Sequence, residues 1–466
     1  MPQSLVALNA TQITTQLSSG YLSLHDVEAA LQAQYAAVNG DINAFEFIKE
    51  GANKEAAASL HGLPITVKDQ IAVAGMPLSS GLDRANRRNP TQTAPIVQRF
   101  LDAGATIRGK TTLPPYAMDF QTFNARVGIT RNPWNHDLTT GGSSGGGAAA
   151  VATGMSYLDI GADLSGSLRL PASYCGVYSL MPTDGVIDAR GLLPNGAVLD
   201  HFARPGPISR AVEDLELAWS VMGGALKTDV ENTSFKIACW DIAAETPPVA
   251  GEVEAVFGTA FEKLAIPDFS LSKADLTRLF DPAVYACFGE IMGYETGGLM
   301  PAPIRLLARL SGKSAAHRSP NFLKNVHNGY RRDKAMYQRA LENREALRAG
   351  FEASWADQDA LLLPVCGVQP FAHQTPHRDQ GGLRDYTSSF NLGGTQVGYF
   401  DALTAFTVPL SLMGNPVVTI PLGLDAHGLP VGGQLVGRHG GEIALLQLAR
   451  KVASVLPAPQ NPYLPA

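Results

Sequence analysis

A stretch rich in small residues, 141–172, constrains this chain more than any other feature. It combines two serine clusters, Ser143-Ser144 and residues 165–167, with many glycines and alanines. Glycine next to serine lets the backbone approach a bound group closely and adopt turns with positive φ. Around a nucleophile, glycines also leave backbone N–H groups free to point at a developing oxyanion. The stretch therefore predicts a catalytic loop, with Ser167 as the nucleophile.

Other interpretations of this run fit less well. A flexible linker is disfavoured because the run leads directly into residues 148–152, a good helix start. A phosphate-binding loop would need a following Gly-Lys-Ser/Thr, and a dinucleotide fingerprint at residues 145–150 would need a preceding strand. The GxSxG pattern through Ser143 or Ser144 is typical of α/β-hydrolases, which also need a late histidine. His427 and His439 are available, so this alternative stays open at this point.

Composition and charge exclude several classes of protein. Of the 466 residues, 45% are hydrophobic and 17% charged, as in a compact globular enzyme, and the net charge of −6 favours no nucleic-acid partner. The cysteines lie far apart without a CxxC pair, which argues against a disulfide framework and a zinc site. We see no signal peptide, and prolines interrupt the longest apolar stretch. We therefore expect a cytoplasmic protein without a membrane span.

Strand-like and helix-like segments alternate along the chain. Residues 1–60 predict helices, one of them starting at a capping box at Ser23. Further segments predict strands at 63–67, 105–107, 236–240, 360–365, 417–420 and 434–436, and helices at 93–103, 210–222, 252–264, 330–355 and 443–455. The alternation predicts an α/β/α sandwich with a large mixed, mostly parallel β-sheet flanked by helices on both faces. Residues 310–327 and 367–398 predict loops or insertions on the substrate side.

A serine nucleophile can use lysine as its base instead of histidine. An ordinary lysine must lose roughly 3 pKa units to be neutral near pH 7, and burial can cause such a shift. Lys68 is the natural candidate because it follows the apolar segment 63–67. Taken alone, a lysine in this place is most often a solvated strand end. Asp69 would oppose base function if it paired with Lys68, so we expect it to turn toward backbone N–H groups.

Three ordered motifs carry a resemblance to a known family: GLPITVKD at residues 62–69, GGSSGG at 141–146 and DLSGSLRLPA at 163–172. Together they resemble the amidase signature family, whose spacing between the two serines is matched by Ser143 and Ser167 (167 − 143 = 24). Matches at residues 43–45, 131–134, 206–210 and 428–437 extend the resemblance along nearly the whole chain. It implies one amidase-signature-like domain over residues 1–466, with N-terminal helices (1–60), a catalytic core (61–225) and a C-terminal half (226–466) that completes the sheet and pocket.

The resemblance also implies a role for each residue of the site. Ser167 would be the nucleophile, Lys68 the base, and Ser143, on a cis peptide, the bridge between them. The oxyanion hole would consist of backbone N–H groups, and two residues would contact substrate. The oxyanion donors implied are Leu164, Ser165, Gly166 and Ser167, and the implied substrate contacts are Met118 and Gly142.

The implied activity is hydrolysis of the C–N bond of a small-molecule amide through a Ser-Ser-Lys relay and an acyl-enzyme. A carbamate (urethane) hydrolase with the same mechanism is one alternative, and an accessory or amidotransferase-like subunit is another. No metal and no organic cofactor are implied. The partner implied is a small-molecule amide or carbamate, with no nucleic acid and no membrane, and a homodimer is expected because relatives are often dimers.

This chain departs from the family's usual residues close to the site. Ser165 stands where glycine is usual and Ala162 where serine or threonine is usual. Pro115-Tyr116 replaces a common Glu-Phe, and Met181-Pro182 a common Lys-Pro, which affects the substrate pocket. Leu170 stands where amidotransferase A subunits tend to have glutamine, which favours a free-standing hydrolase. We expect residues 118–123, 192–201 and 373–400 to shape the pocket.

Three other features have plainer interpretations. Ser144 is expected to cap the helix that starts at Gly145. Cys175 is expected to be a small buried side chain. The pair His373 and His377 contains Pro376, which denies it a regular helix and argues against a metal site.

Overall fold

The computed structural model describes residues 2–49, 58–82, 89–193, 196–223, 234–241, 247–355, 357–380 and 383–465. At the centre of these residues lies a sheet of eleven strands, and four two-stranded ribbons lie outside it. The strands are β1 (Phe45–Ile48), β2 (Pro64–Lys68), β3 (Thr106–Thr111), β4 (Phe123–Asn124), β5 (Gly128–Ile129), β6 (Arg131–Asn132), β7 (Asn135–Thr139), β8 (Leu158–Asp163), β9 (Tyr178–Met181), β10 (Arg204–Ser209), β11 (Phe235–Trp240), β12 (Phe269–Ala274), β13 (Ala360–Pro364), β14 (Arg378–Gln380), β15 (Leu383–Asp385), β16 (Ser389–Leu392), β17 (Thr395–Gly398), β18 (Val417–Leu424) and β19 (Pro430–Val436).

Fifteen α-helices in the described residues flank this sheet. They are α1 (Pro2–Ala7), α2 (Ala10–Ser18), α3 (Leu24–Ile42), α4 (Pro95–Asp102), α5 (Gly145–Ala152), α6 (Arg169–Cys175), α7 (Val212–Met222), α8 (Gly251–Leu264), α9 (Pro282–Leu299), α10 (Ala302–Arg318), α11 (Leu323–Gly329), α12 (Lys334–Ser354), α13 (Tyr399–Thr404), α14 (Thr407–Met413) and α15 (Glu442–Val455). The predicted α/β sandwich is confirmed.

The strands run in both directions, so the prediction of a mostly parallel sheet is wrong in this detail. In the order β1-β3-β2-β8-β10-β9-β18-β19-β13-β11-β12, the pairs β3/β2, β2/β8, β13/β11 and β11/β12 are parallel. The other six pairs are antiparallel. Parallel neighbours need a crossover, which α4 and α8 provide, whereas a tight turn joins β18 to β19. The centre of the sheet is therefore antiparallel and its flanks contain the parallel pairs.

Most predicted elements are confirmed, but residues 1–60 are not all helical. The side chain of Ser23 caps α3, as predicted, by accepting from the Asp26 N–H. At the other end of α3, Asn43 adopts a left-handed conformation with φ 61°, which terminates the helix. Phe45 then begins β1, which pairs with the edge of β3. Residues 50–57 of this predicted helical region lie outside the described residues.

Residues 310–327, predicted to be a loop or an insertion on the substrate side, are mostly helical, so the loop alternative is wrong. This segment belongs to α10 and α11, and α11 packs closely on α9. Glycines on α9 allow that contact, since a Cβ at Gly293 would lie 2.0 Å from the Val326 carbonyl oxygen. The segment 367–398 contains β14–β17 as two short ribbons. Within the described ranges, no helix combines the length and the apolar composition needed to cross a bilayer.

Candidate active site

Lys68 lies at the carboxyl end of β2, inside the sheet. Neighbouring strands β3 and β8 cover both edges of β2, and the side chain is fully buried. Its Nζ lies 2.7 Å from Ser143 Oγ and 3.4 Å from the Ala162 carbonyl oxygen. Burial lowers the pKa of Lys68 to about 7, although the carboxylates of Asp163 and Asp159 act in the opposite direction. Lys68 is therefore a buried amine that can be neutral near neutral pH, not a solvated strand end.

Ser143 is held against Lys68 by an unusual backbone path before α5. The Gly142–Ser143 peptide bond is cis, as the family resemblance implied. A side chain at Gly142 could not fit, since its Cβ would lie 2.6 Å from the Asp119 carbonyl oxygen. The next residue, Ser144, donates its backbone N–H to the Ser167 carbonyl at 3.1 Å. This bond ties the segment of Ser143 to the segment of Ser167.

Ser167 lies in a turn between β8 and α6 that is organised by one carboxylate. Asp163 accepts from the backbone N–H groups of Gly166 at 2.7 Å and Leu168 at 2.9 Å. Gly166 has φ +132°, and a Cβ there would lie 2.9 Å from Thr407 Oγ1, so this turn requires glycine. Ser167 itself is 7% exposed. The turn therefore presents Ser167 with little freedom to move.

One predicted oxyanion donor is corrected by this geometry. The N–H of Gly166 is directed at Asp163 and is thus not available to an oxyanion. Leu164, Ser165 and Ser167 line the adjacent cavity, whereas Gly166 does not. The backbone N–H groups of Leu164, Ser165 and Ser167 therefore remain the predicted oxyanion donors.

A buried ion pair also holds the turn that carries Ser167. Arg169 donates to both carboxylate oxygens of Asp163, at 3.1 and 3.0 Å, and also to Gln434 and Ser411. Burial alone would raise the pKa of Asp163, but the Arg169 guanidinium and the hydrogen bonds hold it at about 2. The pair joins the serine turn to α14 and β19, elements far away in the sequence.

Two of the subsidiary predictions can be compared directly with the structure. Asp69 turns away from Lys68, as expected, and accepts from the backbone N–H groups of Ser79 and Ser80 at 2.8 and 3.0 Å. Ser144 does not cap α5 with its side chain, which is a correction. Its hydroxyl instead lies 3.5 Å from the Ala162 carbonyl, to which Lys68 also donates.

A cavity of about 520 Å³ opens beside these residues, and its wall includes Lys68, Ser143 and Ser167. Met118 lines the cavity as predicted. Gly142 lies behind the wall, against the Asp119 backbone, and not in it. Each of the three segments expected to shape the pocket contributes to the wall, through residues such as Phe120, Leu199 and Phe400.

Sequence reasoning placed residues 310–327 on the substrate side but missed that this side of the cavity is helical and begins at α9. The segment from α9 to α11 supplies a wall that is mostly apolar, and no motif marks it. This helical wall consists of Met292, Thr296, Leu299, Met300, Pro301, Ile304, Ala308, Phe322, Leu323, Val326, His327 and Tyr330. The glycines of α9 that face α11 are a further sequence signal, but they indicate packing rather than a pocket.

A polar cluster at the cavity was also missed. Asp119 accepts from the hydroxyls of Tyr386 and Tyr399, at 2.5 and 2.8 Å, and from Arg384 at 3.0 Å. Burial raises its pKa above the ordinary range for aspartate, against the effect of Arg384. These partners are about 265 to 280 positions away in the chain, so no local pattern could have revealed them.

The remaining candidates do not form sites. Across the described residues, no group of three or more His, Cys, Asp and Glu side chains could hold a metal ion. His373 lies 3.3 Å from the Thr130 carbonyl oxygen, and burial lowers its pKa to about 4. Cys175 is buried, as expected, and burial raises the pKa of its thiol.

Comparison with known proteins gives the family. The model of the family described as Amidase matches residues 26–253 and 307–446, most of the chain. The chain belongs to the amidase signature family. This confirms the resemblance drawn from its three motifs and makes the α/β-hydrolase elbow the wrong alternative.

Relatives and solved structures agree with this membership. Two relatives are each named as the A subunit of glutamyl-tRNA(Gln) amidotransferase. The one from Methanococcoides burtonii is 29% identical and covers 96% of this chain and 94% of its own. The one from a Nostoc species is 30% identical over 84% and 83% of the two chains. The structure of a 6-aminohexanoate cyclic dimer hydrolase is 25% identical, with a TM-score of 0.80 over 99% of both chains. This amidase thus shares its fold with enzymes whose names give different substrates.

Proposed function

We propose that this amidase hydrolyses the C–N bond of a small-molecule amide by a Ser-Ser-Lys relay and an acyl-enzyme. The observation that carries the proposal is the 2.7 Å approach of the buried Lys68 Nζ to Ser143 Oγ, on the wall of a cavity that also contains Ser167. A lysine whose pKa is about 7 can accept a proton near neutral pH. An ordinary lysine, with a pKa near 10.4, could not do so.

In the proposed acylation, neutral Lys68 accepts the proton of Ser143 while Ser143 accepts that of Ser167. The Ser167 oxygen attacks the amide carbonyl, and the negative charge moves to the carbonyl oxygen. The backbone N–H groups of Leu164, Ser165 and Ser167 would bind this oxyanion. Ser143 then returns a proton to the leaving amine, and water cleaves the acyl-enzyme by the same relay.

The cavity favours a substrate with a bulky apolar group. Much of its wall is aliphatic or aromatic, and its volume of about 520 Å³ suits a ligand of drug-like size. Of the charged wall residues, Asp119 pairs with Arg384 and Asp385 with Arg318, whereas Arg378 is exposed. An uncharged aryl or alkyl amide therefore fits better than a small ionic one, and an aryl or alkyl carbamate fits equally by the same relay.

A second candidate function is that of an amidotransferase component working with partner chains. The similarity to proteins named as amidotransferase A subunits supports it. The leucine at position 170, where those proteins tend to have glutamine, favours the free-standing hydrolase instead.

We also propose that residues 1–466 form a single domain. Strand β9, from the core at 61–225, pairs directly with β18 from the half at 226–466. The buried Arg169 likewise bonds to Gln434 and Ser411. Cutting the chain between these parts would open the sheet at its centre.

The test is amine release from a panel of primary amides, anilides and carbamates, with wild type beside Ser167→Ala and Lys68→Ala. We expect turnover of at least one bulky apolar member that both variants abolish. Wild-type rates in Ser167→Ala would overturn the nucleophile. If wild type releases no amine from any compound, the hydrolase proposal fails, and a search for a partner chain follows.

A further inference from the structure

A buried carboxyl that the relay does not use lies close to Lys68. Asp159, on β8, is fully buried, and its Oδ1 accepts from Thr66 Oγ1 at 2.8 Å and Thr111 Oγ1 at 3.0 Å. Thr66 precedes Lys68 by two residues on β2, and Thr111 is the register partner of Lys68 on β3. Because side chains alternate along a strand, Thr66 and Lys68 point to the same face of the sheet. The Asp159 carboxyl is therefore on the face that carries the Lys68 amine.

The other charges near Lys68 are already compensated. Asp163 forms its ion pair with Arg169, and Asp69 lies 3.7 Å from the buried Lys110. Asp159 has only hydroxyl donors, and its Oδ2 has no hydrogen-bond partner among the described residues. Among the described residues two buried amines act on the Asp159 carboxylate, Lys68 and Lys110, and Lys110 already pairs with Asp69.

The backbone of α5 leaves a space that the Asp159 carboxyl occupies. An ideal Cβ built on Gly147 would lie only 2.1 Å from Asp159 Oδ2. The absence of a side chain at Gly147 therefore allows the carboxyl its position. With Thr66 and Thr111 holding the other oxygen, the charge has a fixed location.

We propose that Asp159 is a positioning residue that acts as counter-charge to the ammonium formed on Lys68 when Ser143 gives its proton to Lys68 and takes the proton of Ser167. This inference rests on the proposed relay. In acylation Ser167 Oγ bonds to the carbonyl carbon, the carbonyl π electrons move to oxygen, and one proton ends on Lys68 Nζ. The step creates an oxyanion and an ammonium in a buried site. The backbone N–H groups stabilise the oxyanion, and Asp159 stabilises the ammonium.

The Asp159 carboxylate attracts the Lys68 ammonium through space rather than through a shared hydrogen bond. Lys68 Nζ itself contacts Ser143 Oγ and the Ala162 carbonyl. Burial raises the pKa of Asp159 to about 6, and burial lowers that of Lys68 to about 7. At and above pH 7 the carboxyl is therefore mostly ionised when Lys68 takes its proton. When Ser143 passes the proton on to the leaving amine, the site regains its initial charge.

The test measures covalent labelling of Ser167 by an alkyl fluorophosphonate as a function of pH. The Ser167 oxygen bonds to phosphorus, fluoride leaves, and the serine proton passes through Ser143 to Lys68, so the rate reports the same base without a known substrate. We expect the wild-type rate to rise with pH through about 7. In Asp159→Asn the plateau rate should fall about tenfold, and the acid limb should move down by about one pH unit, because the ammonium loses its counter-charge.

Asp214→Asn is the matched control. Asp214 is also buried, but it accepts from the backbone of Ala10 and Thr11 on α2. The acid limb of the labelling rate in Asp214→Asn should therefore stay at the wild-type pH. If Asp159→Asn does not fold, Thr111→Val removes one donor to the carboxylate and should move the limb in the same direction by less. A lower plateau with an unmoved limb in the folded variant means that Asp159 is only structural, which overturns the inference. Labelling that persists in Ser167→Ala would instead overturn the proposed relay.

Discussion

The two sides of the cavity are built in different ways. The serine side, comprising the end of β2 and residues 141–169, is held by buried polar bonds, such as those between Asp163, Arg169 and the Gly166 N–H. The helical wall contributes mainly apolar side chains from α9 to α11, and several of them reach solvent. Directed bonds fix atoms to within tenths of an ångström, as catalysis requires, while apolar contacts tolerate exchange at similar volume. We therefore expect the rigid side to carry out the proposed chemistry and the adaptable side to select the substrate.

The largest expected effect comes from removing the nucleophile on the serine side. Ser167→Ala should lower kcat/KM by about 10³-fold or more, because it removes the hydroxyl that is proposed to form the acyl-enzyme. The melting temperature should stay near that of wild type, since only a hydroxyl at the cavity wall is lost. Steady-state kinetics and calorimetry on the same preparation check both values. A loss of kcat/KM of tenfold or less in Ser167→Ala would contradict the view that the serine side carries out the chemistry while the helical wall only binds the substrate.

Breaking the buried ion pair should have the next largest effect, on stability. Arg169→Met leaves the Asp163 carboxylate buried without its partner, which should lower the free energy of unfolding by about 3–5 kcal/mol. Arg450→Met is the control, because the Arg450 side chain is exposed where it pairs with Glu216 and Glu213, and these pairs should contribute under about 1 kcal/mol. Urea denaturation of both variants gives the comparison. Equal midpoints would contradict the view that buried polar bonds hold the serine side.

The dependence of kcat/KM on pH tests the base on the serine side. Lys68 must be neutral to accept a proton, and its pKa is about 7. Activity should therefore fall about tenfold for each pH unit below 7 and level off above it. The profile of kcat/KM from pH 5 to 9 measures this. A limb near pH 10, as for a solvated lysine, would contradict the lowered pKa of Lys68 on which the proposed relay depends.

Substitution in the helical wall should have the smallest effect, and one that depends on the substrate. Ile304 is 47% exposed and lines the cavity, so Ile304→Trp should raise KM for bulky amides about tenfold and leave small amides nearly unchanged. Leu307, on the same helix, is 60% exposed and outside the wall. Leu307→Trp should therefore change neither value. Similar losses for bulky and small amides would mean that this wall does not select substrate.

The serine side of the cavity could be predicted from the sequence better than the helical wall. The strand before Lys68 and the glycine turns around Ser143 and Ser167 are local patterns with a chemical reason, and they predicted the constellation that the structure brings together. The helical wall was predicted only in part, as a substrate-side loop or insertion at 310–327, because its apolar side chains are typical of ordinary packing. The cluster around Asp119 escaped because Tyr386 and Tyr399 reach it from a distant part of the chain. The antiparallel centre of the sheet depends on which strands meet, and alternation alone does not encode that order.

The fit between Gly147 and Asp159 has a consequence for the evolution and engineering of this amidase. With the Asp159 carboxyl 2.1 Å from the place of a Cβ at position 147, any other amino acid there collides unless position 159 becomes smaller in the same step. The two sites are thus epistatic in one direction: a library that randomises position 147 alone will recover mainly glycine, whereas a similar or smaller residue at position 159 is compatible with Gly147. A combinatorial library over both is the route by which neighbouring solutions for this part of the core can be reached.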